Sequence, residues 1–530
     1  MSTRTRKSKS IVAGMFTLAG AVMLATALPA DAVQNYVATP LGSLGGTYWG
    51  VPSSQASAIN ASGHVTGGAS IPGTIDDSRH FHAFIYANGV MIDLGTLGGQ
   101  ISSGSAINAS GQVTGGSDTG LTDLAGTVRH AFLYSNGKMT DLGSLGGTES
   151  FGSGINFIGQ VVGWSYLHGY VTRRAFLYSG GSMTDLGTLG GSSSEATGIN
   201  DSGQVTGSAY VRDVASPGRP IVHAFLYSGG VMRDLGTLGG PDSYANGINN
   251  AGEVTGLSRL QSSTEAHAFL YSGGRMIDLG TLGGQISVGS AINNSGQVTG
   301  QSDTTNNVDT HAFLYTDGKI YDLNHLVTND LGPGVVLRYA HGINDRGQIA
   351  AVGCTRVVVI ESACQAYRLD PITTAIEYHH EVFDHYFVTA NPNEIASLDE
   401  RAIPGWVRTG QSFRVFGMDP GAVSVCRFWS HQTFAPKSSH FYTPLDWECA
   451  IVKRNPDWLY EGTVFSMKLP DMAGNCVSGT IALYRVYNDG KSGAPNHRYT
   501  TSVDIRQQMI AKGWIPEGAG PGVIGCVPAP

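Results

Sequence analysis

From about residue 35 to residue 372 the chain alternates polar and apolar residues in short runs. The runs break at Gly, Asn and Ser, the pattern of short strands joined by tight turns. One stretch, "HAFLYSGGVMRDLGTLGG" at 223–240, returns almost letter for letter at 267–284 and 130–147. Counted on the signal A/G-I-N, the repeat ends at Asn60, Asn108, Asn156, Asn200, Asn249, Asn293 and Asn344, in steps of 48, 48, 44, 49, 44 and 51 residues. A period in the forties sustained over seven units predicts a propeller or a solenoid. Each unit divides into four strand-like pieces, "SxAxGIN", "QVTGxS", "HAFLYS" and "xMxDLG". The first two are joined by N-x-S-G. The last two are joined by Asn-Gly (136–137), Asp-Gly (317–318) or Gly-Gly (180–181), pairs that tolerate the positive φ of a two-residue hairpin. Four antiparallel strands in sequence make one propeller blade.

The chain ends choose between the two architectures. The seventh unit has "HGIN" (341–344), "GQIAAVG" (347–353) and "CQAYRLD" (364–370) but no "xMxDLG" after them; "YVATPLGSLGG" (36–46) supplies that piece from the other terminus. The expectation is a mainly β chain with a seven-bladed β-propeller over residues 33–372, its last blade closed by an N-terminal strand. Closure removes open sheet edges, whereas a solenoid needs capping repeats. The units resemble the extracellular HAF-repeat family of bacteria through "HAFLYSGG", "DLGTLGG" and "GINxSGQVTG", over about 340 residues. That resemblance implies secretion and says little about activity.

Beyond Pro371 the repeat stops and the composition turns aromatic, with Trp406, Trp429, Trp447, Trp458 and Trp514. A looser threefold pattern starts at His385, His440 and His497, each copy reading as a short strand, a helix of about ten residues and a Trp-led strand. Residues 373–530 are therefore expected to form a small α+β domain of pseudo-threefold form. Through "CRFW…HFYT", "W-x-Y-E-G" and "LYRVYN…NHRYTTS" it resembles an uncharacterised C-terminal module of secreted bacterial proteins. The resemblance implies attachment to a surface. By sequence position Cys426 is paired with Cys449 and Cys476 with Cys526, while Cys354 and Cys364 flank the hairpin loop of the seventh unit.

Residues 1–32 change the picture of location. Arg4, Arg6, Lys7 and Lys9 precede an apolar run from Ile11 to Leu28 and the small-x-small site Ala30-Asp31-Ala32, which together read as a signal peptide. An uncleaved anchor is the alternative, since the run is nearly long enough to span a bilayer. Cleavage removes four basic residues and Asp31, taking the formal charge from −8 to −11. An acidic chain without clustered Lys and Arg argues against nucleic acid. Six Cys in an exported chain point to three disulfides. The expected location is extracellular or periplasmic, with no stable membrane insertion after cleavage.

Little in the sequence spells catalysis. His82, His130, His223, His267 and His311 occupy one position of the repeat, with Arg174 and Gln365 in units three and seven. Five copies spread around a ring cannot build one active site, and the imidazoles are expected to bridge backbone groups. Asp93, Asp141, Asp185, Asp234, Asp278 and Asp322 recur singly, which is weak for calcium and fits a hydrogen bond at a turn. "HHEVFDH" (379–385) spaces His380 and His385 by five, where a zinc helix needs four. No G-x-S-x-G, Walker loop or dinucleotide fingerprint occurs, so no metal, cofactor or catalytic residue is assigned.

Binding residues are sought where the pattern breaks. The connections between second and third pieces, and those following "LGG", emerge at one mouth of the ring and vary from unit to unit. They bring Tyr48, Trp49, Trp164, Tyr166, His168, Tyr170, Arg173, Tyr210, Arg212, Tyr244, Arg338 and Tyr339 to that mouth. Aromatic faces with Arg suit sugar rings bearing carboxylates. Unit three, with Phe157, Ile158, Trp164 and Arg174, departs furthest. The reading is a secreted, non-catalytic binding or adhesion protein whose propeller face holds a glycan or an extracellular protein. The C-terminal module would attach it to a polysaccharide or cell-surface component. The alternative is a polysaccharide lyase or glycosidase at the mouth, with Arg173 or Arg212 as neutraliser, His168 as base and Glu149, Glu195 or Asp242 as carboxylate. A third reading is a platform for protein interaction alone.

Overall fold

The turn pairs set the local structure. Asn136-Gly137 and Gly180-Gly181 both take positive φ at both positions (51° and 78°, 59° and 86°), the conformation that lets a two-residue loop follow the twist of its strands. A computed structural model describes residues 34–48, 51–72, 80–123, 126–167, 172–211, 220–261, 264–355, 364–416, 422–430, 437 and 439–529. The expected signal peptide lies outside them. The chain is mainly β. Unit one is a four-stranded antiparallel sheet of Ser54–Ile59, Val65–Ser70, Phe81–Ala87 and Val90–Asp93, and the next units repeat that order.

Each apolar cluster joins two units. Ala83 and Leu94 of unit one pack with Ile107, Val113 and Phe132 of unit two, and the same set recurs along the chain. The Phe of "HAF" is fully buried in units one to six. At an aromatic position of this kind truncation to Ala costs about 3–5 kcal/mol. Unit seven places Ala350 and Ala366 in a cluster with Leu41, Ala56 and Phe84.

Two series of polar bonds run beside this core. The Asn of A/G-I-N is buried in every unit, and its side-chain amide donates to the next unit's Asn carbonyl: Asn60 to Asn108 (2.9 Å), then Asn156, Asn200, Asn249, Asn293 and Asn344 in turn, with Asn344 donating to Asn60 at 2.9 Å. In units one to six a buried Ser of the first strand accepts from the Ala amide of the preceding unit, as Ser102 does from Ala83 (2.8 Å) and Ser54 from Ala366 (3.0 Å). Both series tie the backbone of one sheet to the next, where an unpaired buried amide would be costly.

The strand Asn35–Pro40 pairs antiparallel with Cys364–His380, Tyr36 opposite Pro371 and Pro40 opposite Tyr367. Its other side meets the connection between units six and seven, where the Asn329 side chain donates to and accepts from Ala38.

Cys364–His380 is also the link to the C-terminal residues. It crosses the junction expected at 372/373 without a break, Ile372 pairing with both Asn35 and Phe416. It continues past the Asn-bearing turn of unit seven, whose Gly347 lies beside Pro371. The C-terminal residues thus extend from the end of the sheets opposite the variable connections. Val33–Pro530 packs as one compact unit.

The threefold pattern beyond residue 373 is visible in register. Glu377, Arg427 and Arg485 stand opposite Val388, Tyr442 and Tyr499, and His440 and His497 correspond to Tyr386, one residue after the His385 from which the pattern was counted. The helices Pro392–Asp399, Asp446–Val452 and Val503–Ala511 follow. Three buried ion-pair joints link the copies. Arg427 donates to Glu394 of the preceding helix at 2.8 and 2.7 Å and lies 2.9 Å from Glu461 of its own copy. Arg485 does the same with Glu448 and Glu517. At the third joint the signs reverse: Glu377 stands in the arginine position and accepts from Arg498 at 2.9 and 2.8 Å and from the Thr409 hydroxyl at 2.7 Å. "HHEVFDH" forms a hairpin, His380 opposite His385, and not a helix.

The disulfides are Cys354–Cys364, Cys426–Cys449 and Cys476–Cys526, the expected pairs. They fit an oxidising compartment. Among the described residues no helix is long and apolar enough to cross a membrane.

Candidate functional site

The repeated histidines bond to carboxylates rather than to backbone, which corrects the expectation. Nδ1 of His82, His130, His223, His267 and His311 lies 2.6–2.9 Å from the Asp that ends the neighbouring strand. The carboxylate in turn accepts from a turn amide, as Asp93 does from Gly95. Arg174 replaces His in unit three and reaches the equivalent Asp185 at 3.3 Å. In unit seven both partners change together, Gln365 standing near Pro40. Burial alone would raise the Asp234 carboxyl, but the His223 imidazole and Gly236 amide outweigh it and hold that carboxyl below its usual range. These pairs fasten the outer strands and the turn beyond them.

The variable connections sit together at the end opposite the Asn turns, because alternate ends of an antiparallel meander carry alternate connections. There each unit bonds its two connections to one another, for example Gly147 to Tyr166 and Tyr166 to Glu149 through the backbone. Of the twelve residues expected at this end, three meet in one cluster. Trp164 and Tyr166 lie on Val161–Tyr166 and Arg173 opens Arg173–Ser179, directly across from Tyr166. The Arg173 guanidinium lies 4.2 Å from the Trp164 ring centre and 5.1 Å from that of Tyr166. Phe151, opposite Trp164 in the sheet, stacks alongside it with centres 6.1 Å apart. Room for Phe151 comes from Gly116 of unit two, where a Cβ would fall 2.4 Å from the ring.

A carboxylate completes the cluster from the next unit: Arg173 Nη1 is 2.7 Å from Glu195. Burial opposes the charge on Arg173, but Glu195 and Tyr166 raise its pKa nonetheless. Phe151 is not among the residues expected to bind, and Glu195 is expected only as one carboxylate of the lyase alternative. The signal was in the repeat, where Ser103, Phe151, Glu195, Tyr244, Val288 and Tyr339 share one register position.

The other expected residues that the structure describes do not join this cluster. Tyr210 packs over Gly191 in unit four, and Tyr244 lies opposite Leu257 in unit five. In unit seven Arg338 pairs with Asp309 at 2.9 Å and Tyr339 stacks on His341. Trp49, His168, Tyr170, Arg212 and the Tyr48 side chain lie outside the described residues. Arg129 with Asp118 (3.0 Å) and Arg259 with Asp242 (3.4 Å) complete a set of arginines already engaged by carboxylates at this end. Among the described residues no group of three His, Cys, Asp or Glu is placed to hold a metal ion.

A family profile described as a domain of unknown function, DUF5648, matches residues 376–523. No curated protein matches the sequence. Solved structures similar to the chain include the β-propeller domain of the Trilobed protease from Pyrococcus furiosus, reported with an open velcro topology, at 9% identity and a TM-score of 0.39. That match covers 60% of this chain and 97% of the other. A gluconolactonase from Xanthomonas campestris matches at 11% identity and a TM-score of 0.31, covering 65% and 97%. A protein of unknown function from Dyadobacter fermentans matches at 9% identity and a TM-score of 0.30, covering 63% and 98%.

Proposed function

We propose that this is a secreted binding protein without catalytic activity, built as a seven-bladed propeller of HAF-type repeats. Asn35–Pro40 serves as the fourth strand of the last blade, and residues 373–530 attach the molecule to a polysaccharide or cell surface. The variable end of the propeller holds a glycan or an extracellular protein. One observation carries this reading: the connections that differ between units gather at one end, while Cys364–His380 leaves by the other. Such an arrangement presents a varied face away from its mount, and varied loops on a rigid scaffold are where recognition resides. The Phe151–Trp164–Arg173–Glu195 cluster is the centre of the face.

The lyase reading loses ground on the same geometry. Arg173 would have to neutralise a uronate carboxylate while already bound to Glu195 at 2.7 Å. The test is retention of the mature chain on a panel of polysaccharides, bacterial wall preparations and extracellular proteins. Retention without release of unsaturated sugars is expected, and Trp164→Ala should weaken it by about 2 kcal/mol, the scale of a buried aromatic anchor. No retention on any of them, or turnover of a uronate polymer, would overturn the proposal.

A further inference from the structure

The repeat supplies its own control for one pocket. Four of the five His–Asp pairs hold a carboxylate whose side chain is 38–44% exposed, at 2.8–2.9 Å. In unit six the side chain of Asp322 is 10% exposed and sits 2.6 Å from His311. The cause is a local departure in sequence. Where units one to five continue from Asp into Leu-Gly-Thr-Leu-Gly-Gly or its Ser variant, Asp322 caps the short helix Leu323–Leu326, and the Asn324 amide replaces that of the glycine at 2.8 Å. The longer connection that follows runs past the pair and borders an open pocket of about 300 Å³. Val327, Leu331, Val335 and Val336 give it apolar walls; His311, Asp330, Asn324 and Asn329 are its polar lining, the two Asn amides being bonded already to Leu337 and to Ala38.

The hydrogen bonds fix what His311 and Asp330 can do. A carboxylate bonded to Nδ1 places the proton on that nitrogen, so the neutral ring offers the lone pair of Nε2. Asp330 uses Oδ1 to accept from the Gly332 amide at 2.8 Å, and Oδ2 carries no bond among the described residues. With the His311 ring neutral both groups are acceptors, and Asp330 brings a carboxylate. A small apolar body carrying a donor with positive charge satisfies both the walls and the two acceptors. We propose that this pocket binds a small primary amine on an apolar group, its ammonium held between His311 Nε2 and Asp330. Nothing in this depends on the aromatic cluster of unit three.

Binding of benzylamine to the full chain, followed by ligand-observed NMR and calorimetry at neutral pH, tests the proposal, with benzyl alcohol and benzoate as matched probes. Benzylamine should bind at least tenfold more tightly than either. Asp330→Asn keeps the bond to Gly332 and removes the charge, and should weaken benzylamine at least tenfold with an unchanged melting temperature. His311→Ala should weaken it similarly, whereas His223→Ala, at the equivalent pair with an exposed Asp234, should not. Should His311→Ala fail to fold, Asp330→Asn decides alone. Absence of benzylamine binding, equal binding of benzoate, or undiminished binding by Asp330→Asn each overturns the assignment.

Discussion

Asn200 should matter more to the scaffold than the conspicuous histidine of the repeat. It is buried, donates to Asn249 and Gln204, and accepts from the amides of Ser202 and Gln204. Asn200→Ala strands several of these groups and should cost about 3 kcal/mol. His223→Ala removes one bond to an Asp234 whose side chain is 38% exposed, which solvent screening limits to under about 1 kcal/mol. Chemical denaturation of both variants checks the order. The pair also has a pH signature. The folded Asp234 pKa is depressed, so its contribution is present above the unfolded carboxylate range and is lost as pH falls through the folded value. His223→Ala should therefore lose less stability than the parent between neutral pH and about pH 3.

At the scale of elements, the three C-terminal joints make the sharper statement. Glu377→Gln leaves Arg498 buried without its partner and should cost about 3–5 kcal/mol. The exchanged pair, Glu377→Arg with Arg498→Glu, restores the signs found at the other two joints and should recover much of that loss, as a double-mutant cycle would measure. Glu461 works in the other direction. Burial and neighbouring Glu394 raise its pKa against the pull of Arg427. Its relative stabilisation is thus present below the unfolded pKa and lost as pH rises through the folded one. Glu461→Gln should gain on the parent between about pH 4 and pH 7 in thermal melts, the opposite slope to His223→Ala.

These elements also mark what the sequence could and could not disclose. Strand order and turn chemistry were legible because Asn-Gly and Gly-Gly announce the hairpins, and pairing each Cys with its neighbour in sequence matches the bonds that form. The acceptor of the repeated His was not, because the Asp lies eleven residues away and meets it only across a strand pair. The sign reversal at Glu377 was invisible until register aligned it with Arg427 and Arg485. The aromatic cluster was half legible: Trp164, Tyr166 and Arg173 share a neighbourhood in sequence, whereas Glu195 arrives from the next unit.

For the whole molecule the claim is one of direction: recognition at the variable end, attachment beyond the opposite one. The two ends carry natural reporters. Tyr166, Tyr210, Tyr244 and Tyr339 lie on the strands leading to the variable end, and Phe157 and Ile158, 57% and 61% exposed, mark the Asn-bearing turns. Hydroxyl-radical footprinting of the mature chain, free and bound to a retained partner, reads all six, and Trp164 with them, by mass spectrometry. The account predicts protection of Trp164 and Tyr166 with no change at Phe157 and Ile158. Protection of Phe157 and Ile158 with Trp164 and Tyr166 unchanged would contradict it.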